Sequence, residues 1–170
     1  MNLHNVAPDV STYTVLMSRY AQLADLGSAV ATFREMKKRG ILPDDSAWLA
    51  IAGAFGTAGK IKSVKQILRK REVRDAKTLN LILFAHTRNG DSPAAVADFK
   101  KLSRKIKPDR TTYRHLVTAH IQAKDAMGAE LAFKEMQDRG FKPNVAVLMD
   151  MIELRFGAGD ATGMLTLYDQ

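Results

Sequence analysis

Apolar residues recur along this chain in short runs such as TYTVLMSRYAQL, GSAVATFREMKKR, TTYRHLVTAHIQA and GAELAFKEMQDR, where hydrophobic positions fall three and four apart. That spacing predicts amphipathic helices. The runs repeat. Tyr13, Trp48, Leu79, Tyr113 and Leu148 follow one another at 35, 31, 34 and 35 residues, and the pairs Pro8/Pro43 and Pro108/Pro143 are each 35 apart. A period of this length marks an array of supersecondary units. The frame places units at 10–44, 45–75, 76–109 and 110–144, with a partial unit at 145–170. Met1 to Asp9 align with Met36 to Asp44, so residues 1–9 read as the end of a preceding unit.

Each unit reads as two helices. Gly59, Gly90 and Gly159 share the phase between them, where a glycine in the left-handed conformation ends a helix without a Cβ penalty. Asp91-Ser92-Pro93 then offers an N-cap followed by proline at the first helical position. The second helix stops at Arg39-Gly40 and Arg139-Gly140, with Pro43 and Pro143 blocking continuation. Within it, Phe33, Leu68, Phe99, Phe133 and Tyr168 share one phase, and Ala29, Val64, Ala95, Ala129 and Met164 share another. These are packing positions. A two-helix unit cannot bury its own apolar face, so the units are expected to stack into a superhelix with a continuous core.

The units resemble the pentatricopeptide repeat. Val10-Ser11-Thr12-Tyr13-Thr14 opens a unit that closes with Phe33-Arg34-Glu35-Met36-Lys37-Lys38-Arg39-Gly40-Ile41-Leu42-Pro43-Asp44. Thr112-Tyr113 and Phe133-Lys134-Glu135-Met136, running on to Pro143-Asn144, repeat the pattern. The tetratricopeptide period and pattern fit less well. The resemblance implies an all-α fold, a right-handed superhelical α-solenoid of helix-turn-helix repeats. It also implies reading of single-stranded RNA, about one base per unit, through the residue after the Tyr phase and the last residue of the unit. Carried onto this chain, the pairs are Thr14 with Asp44, Leu49 with Asp75, Asn80 with Asp109, and Arg114 with Asn144; Met149 opens an incomplete fifth. Thr14 with Asp44 resembles the family's guanine pair and Asn80 with Asp109 its uracil pair. Leu49 offers no strong hydrogen-bonding group, and Arg114 suits a phosphate better than a base edge. The residues that in the family sandwich the base are here Ser11, Ser46, Lys77, Thr111 and Ala146, which offer little apolar surface. Weak base specificity is therefore expected, with Thr14, Asp44, Lys77, Asn80, Asp109, Arg114 and Asn144 as the RNA-contacting set.

Charge supports the same partner class. The chain carries a formal +8, which suits nucleic acid or another acidic partner. Cationic runs at Lys37-Lys38-Arg39, Arg69-Lys70-Arg71 and Arg104-Lys105 occupy helix ends, where solvation and helix-dipole compensation explain them. Met36 and Met136 read as core filling. His86 and His120 share the phase of Tyr20 and Phe55 and read as packed in the hairpin core; His115 and His120 are five apart, unsuited to joint metal ligation. Gly56-Thr57-Ala58-Gly59-Lys60 lacks the spacing of a phosphate loop and reads as an inter-helix turn. Zero cysteines exclude thiol catalysis, no serine lies in a nucleophile elbow, and no apolar run is long enough to cross a bilayer.

The expected protein is non-enzymatic, with no cofactor, metal, small-molecule substrate or membrane. Its partners would be single-stranded or ribosomal RNA and other proteins of a ribonucleoprotein complex. The family resemblance implies mitochondria, or alternatively plastids, and a role in transcript handling or in an organellar ribosome. A purely protein-binding scaffold is the alternative: a concave stripe gathering Thr14, Lys77, Asn80 and Arg114 would favour RNA, and an apolar groove would favour a peptide. The start and end of the sequence inside units are those expected of an internal piece of a longer array.

Overall fold

The computed structural model describes residues 8–71 and 74–157. The expectations for residues 1–7, Gly159, Met164 and Tyr168 lie outside them. Every described element is an α-helix: α1 (Val10–Gln22), α2 (Leu26–Lys38), α3 (Asp45–Thr57), α4 (Ile61–Leu68), α5 (Ala76–Arg88), α6 (Ser92–Leu102), α7 (Arg110–Gln122), α8 (Ala126–Asp138) and α9 (Val145–Gly157).

Local chemistry sets where these helices begin. Asp9, Asp44, Asp75, Asp109 and Asn144 accept the backbone N–H of Thr12, Ala47, Thr78, Thr112 and Val147 at 2.8, 2.7, 3.1, 2.8 and 3.1 Å. Each satisfies one of the orphan donors at the head of α1, α3, α5, α7 or α9. Asp25, Asp91 and Asp125 cap α2, α6 and α8 in the same way. Helix α4 differs, because Lys60 at its head makes no side-chain cap.

The turn inside each hairpin passes through the left-handed region at one recurring position: Ala24 (φ 57°), Gly59 (φ 66°), Gly90 (φ 71°) and Lys124 (φ 56°). Glycine fills only half of these places, so the geometry belongs to the hairpin rather than to its glycines. Pro93 falls on the second helical residue, because Ser92 opens α6 directly after the Asp91 cap. The segment from Gly56 to Lys60 is the end of α3 and the turn into α4, as expected.

The odd-numbered helices form one layer. Helix α1 packs on α3, α3 on α5, α5 on α7, and α7 on α9, while each even-numbered helix touches its hairpin partner and the next odd-numbered helix. Among the described residues the backbones of the even-numbered helices stay apart, and α4 meets α6 through side chains, with Lys65 bound to Asp98. Tyr13, Met17, Met36, Leu79, Leu83, Tyr113, Val117, Met136 and Met151 are buried between the layers. Met36 and Met136, both fully enclosed, are core residues as their phase predicts. The result is an α-solenoid with odd-numbered helices inside and even-numbered helices outside.

One charged residue enters this core. Arg71 occupies the phase of Met36 and Met136 and its side chain has no solvent exposure. This overturns the expectation of a solvated cation in Arg69-Lys70-Arg71; only Arg69 and Lys70 are exposed. Arg71 donates to Asp45 through Nε at 2.5 Å and through a terminal nitrogen at 2.7 Å, and to Thr78 Oγ1 at 2.6 Å; Asp75 lies 3.4 Å away. Its hydrogen bonds to Asp45 outweigh burial and hold the guanidinium pKa above its ordinary value. An ion pair thus fastens the head of α3 to the head of α5 where Met36, Leu102 and Met136 stand in the other hairpins.

Candidate nucleic-acid interface

A groove of about 590 Å³ runs along the inner layer, and all its lining residues lie on α1, α3, α5 and α7. Thr14, Lys77, Asn80 and Arg114 come together there. They do so because each stands near the head of an odd-numbered helix, and those helices pack side by side. Lys77 is exposed and the other three are half-buried. The floor is apolar, formed by Leu49, Ala50, Leu81 and Phe84. The groove therefore combines the two features that separate the RNA and peptide alternatives: a polar, cationic margin and an apolar base.

Asn80 and Asp109 form a preassembled pair. The Asn80 amide donates to both Asp109 carboxylate oxygens, at 3.1 and 3.2 Å, and its carbonyl accepts from Thr112 Oγ1 at 2.6 Å. The Asp109 backbone N–H donates back to Thr112 Oγ1 at 3.0 Å, closing a capping box. Burial opposes ionisation of Asp109, but the Thr112 amide, the Asn80 amide and the Thr112 hydroxyl outweigh it and hold its pKa below the ordinary carboxylate value. Asn80 is consequently held in one rotamer with its second amide proton and second carbonyl lone pair uncommitted.

Thr14 and Asp44 make separate bonds. The Thr14 hydroxyl donates to the Val10 carbonyl at 2.8 Å, and exposed Asp44 caps α3. Asn144, also exposed, caps α9. Asp75, the expected partner of Leu49, caps α5 and leans on Arg71; burial opposes its ionisation, but the Thr78 amide and Arg71 keep its pKa low.

Arg114 has a neighbour that sequence reasoning did not assign to the site. His115 lines the groove at 7% exposure, packs against the Phe84 ring at 5.8 Å, and accepts from Arg114 at Nε2, 3.2 Å away. Burial first, and the Arg114 charge second, push its pKa down to about 4, so at neutral pH it is uncharged and serves as the acceptor. The available signal was Phe84, an aromatic at the phase held by Ser18, Gly53 and Thr118. The other histidines behave differently. His86 is buried, with Nε2 2.7 Å from Asp98, whereas His120 packs against Gly128 at the edge of its hairpin, its side chain 14% exposed and 2.9 Å from the Asp125 carboxylate. Among the described residues no cluster of His, Asp and Glu could hold a metal ion, and no helix is long and apolar enough to cross a membrane.

Comparison with known proteins accords with this architecture. A chloroplastic pentatricopeptide repeat-containing protein of Arabidopsis thaliana is 27% identical over 146 residues, covering 81% of this chain and 19% of that protein. A mitochondrial one from the same plant is 24% identical over 115 residues, covering 67% of this chain and 11% of that protein. The chain thus spans less than a fifth of the length of either. The solved pentatricopeptide repeat protein PPR10 from maize superposes with a TM-score of 0.70 at 26% identity, over 96% of this chain and 24% of its own. PPR10 in complex with an 18-nt psaJ RNA element gives a TM-score of 0.80 at 20% identity, over 96% of this chain and 25% of that one, and shares the right-handed superhelical solenoid fold. The model of the PPR repeat family matches residues 8–70, and that of the pentatricopeptide repeat domain matches residues 98–153. With its sequence matched by these repeat models on both sides of the middle hairpin, the chain belongs to the pentatricopeptide repeat family.

Proposed function

We propose that this segment binds single-stranded or ribosomal RNA along its inner groove, as a non-enzymatic part of an organellar ribonucleoprotein. The observation that carries the proposal is the convergence of Thr14, Lys77, Asn80 and Arg114 on that one groove. Lys77 and Arg114 supply charge for phosphates, and Asn80, fixed by Asp109 and Thr112, presents a donor and an acceptor to one base edge.

Base reading is confined to few positions. Asp75 is engaged by Arg71 and its partner Leu49 has no hydrogen-bonding group; Arg114 is a phosphate ligand in character. That pattern fits a component held in place by RNA shape and neighbouring proteins, such as a structural part of a mitochondrial ribosome, or a transcript-processing factor whose other units carry the specificity. The compartment is mitochondrial in this proposal and plastid in its alternative.

The apolar floor of Leu49, Ala50, Leu81 and Phe84 supports a second reading, a scaffold that takes a peptide in the same groove. Binding of labelled single-stranded RNAs of different base composition, to the parent chain and to Thr14→Leu and Asn80→Leu variants, separates the two. RNA binding that depends little on composition, with any loss of preference in Asn80→Leu confined to one base, supports the proposal. A strong composition preference that both variants shift would show a base code and overturn the low specificity. Absence of RNA binding would leave the scaffold.

A further inference from the structure

The outer face carries a second groove of about 380 Å³, between α4 and α6, closed below by Thr78 and Ile82 of α5, whose residues Lys77, Asn80 and Leu81 line the RNA groove. Its base is apolar, made by Leu68, Ile82, Leu102 and Ile106. Lys65, Arg69, Arg74 and Lys101 surround it, with Asp98 as the one carboxylate in the lining.

Two observations explain why it is open and why it is charged. Helix α4 has 8 residues where α2 and α8 have 13. It stops at Leu68, so no further turn of α4 stands beside Leu102 and Ile106. Asp98 is bound to Lys65 at 2.5 Å and to His86 Nε2 at 2.7 Å, which neutralises Lys65. Arg69, Arg74 and Lys101 are left without a paired carboxylate among the described residues, and all three are exposed.

The shape and charge discriminate between anionic partners. Single-stranded nucleic acid gains much of its affinity by stacking bases on aromatic rings, and no aromatic ring lines this groove. A branched aliphatic side chain fits the apolar base, and carboxylates flanking it would make charge-assisted hydrogen bonds to the arginines and lysine. We propose that the outer groove between α4 and α6 docks an acidic peptide segment of a partner protein, one apolar side chain entering between the helices and its acidic neighbours facing Arg69, Arg74 and Lys101. Because the two grooves share no lining residue, both surfaces are available at once, which is the geometry of a ribonucleoprotein component that joins RNA to protein.

The test titrates the full chain, with isoleucine methyl groups labelled for NMR, with a panel of short peptides carrying Leu, Ile or Phe flanked by Glu and Asp. Matched peptides with Ser at the centre serve as controls. The Ile82 and Ile106 methyl signals are expected to shift with the apolar-centred peptides and not with the Ser controls, while Ile51 and Ile121 stay in place. Combined Arg69→Glu and Lys101→Glu substitution is expected to weaken binding about tenfold or more by opposing the peptide's charge, and Lys77→Glu in the RNA groove to leave it unchanged. Arg74→Glu provides a second charge reversal if the double variant is misfolded by circular dichroism. The proposal is overturned if no peptide moves Ile82 and Ile106, if the charge reversals leave affinity intact, or if single-stranded RNA shifts these methyls and the peptides do not.

Discussion

Each of Asp44, Asp75, Asp109 and Asn144 is bound to the amide three residues on, so a substitution there acts first on the head of a helix. Asp109→Ala removes both the cap of α7 and the anchor of Asn80; it is expected to cost about 1–2 kcal/mol in urea unfolding, with Asp109→Asn costing less. Asn80→Leu leaves the cap in place and is the cleaner probe of RNA contact. His115 gives a separate signature. Its folded pKa of about 4 lies below the usual 6.5, so the unfolded chain takes up its proton first as the pH falls. Above the unfolded value both states are neutral and the group contributes nothing. Stability is then lost as pH drops from about 6.5 towards 4, by up to about 3 kcal/mol. Urea unfolding between pH 7 and about 5, before most carboxylates titrate, should show this slope in the parent chain and lose it in His115→Phe.

Helix α4 is the weak element of the array. It is short, and Lys60 places a cation at its N-terminus with no side-chain cap, where the other described helices have Asp or Asn. Lys60→Asp supplies the missing acceptor and a charge of the sign the helix dipole favours, and should raise stability by about 1 kcal/mol, measured as a higher urea midpoint at unchanged slope. Helix tails were largely legible in the sequence because their causes are local, a glycine at the turn and a proline beyond the end; of the heads only Asp91 was read as a cap, while Asp44, Asp75 and Asp109 were read for base contact and also cap their helices. Ala24 and Lys124 show the limit of that logic, since both adopt the left-handed turn without being glycine. Arg71 shows another. Read as part of a cationic run it belongs in solvent, whereas its phase, shared with Met36 and Met136, places it in the core. Only the fold brings Asp45, 26 residues away, to meet it.

At the scale of the whole molecule, stability and function both depend on contacts between successive hairpins. Arg71 joins the heads of α3 and α5, and Arg71→Ala is expected to cost about 2 kcal/mol by loss of charge-assisted hydrogen bonds. The cost stays moderate because the Asp45 and Asp75 side chains, 45% and 34% exposed, can be hydrated once Arg71 is gone. The same side-by-side packing gathers Thr14, Lys77, Asn80 and Arg114, so, with Leu49 in the floor, the first members of all four pairs expected to face RNA line one groove. Phe84 and His115 were missed because their roles arise between neighbouring helices and not within one unit. The central claim is that this groove holds RNA through its phosphates. Its most direct test is the affinity for single-stranded RNA across a salt series, in the parent chain and in a Lys77→Gln, Arg114→Gln double variant. Each phosphate contact on a single strand contributes about 0.7 to the slope of log affinity against log salt, so the account predicts weaker binding and a slope shallower by about 1.4 in the double variant. An unchanged affinity and slope would place the RNA elsewhere and contradict it.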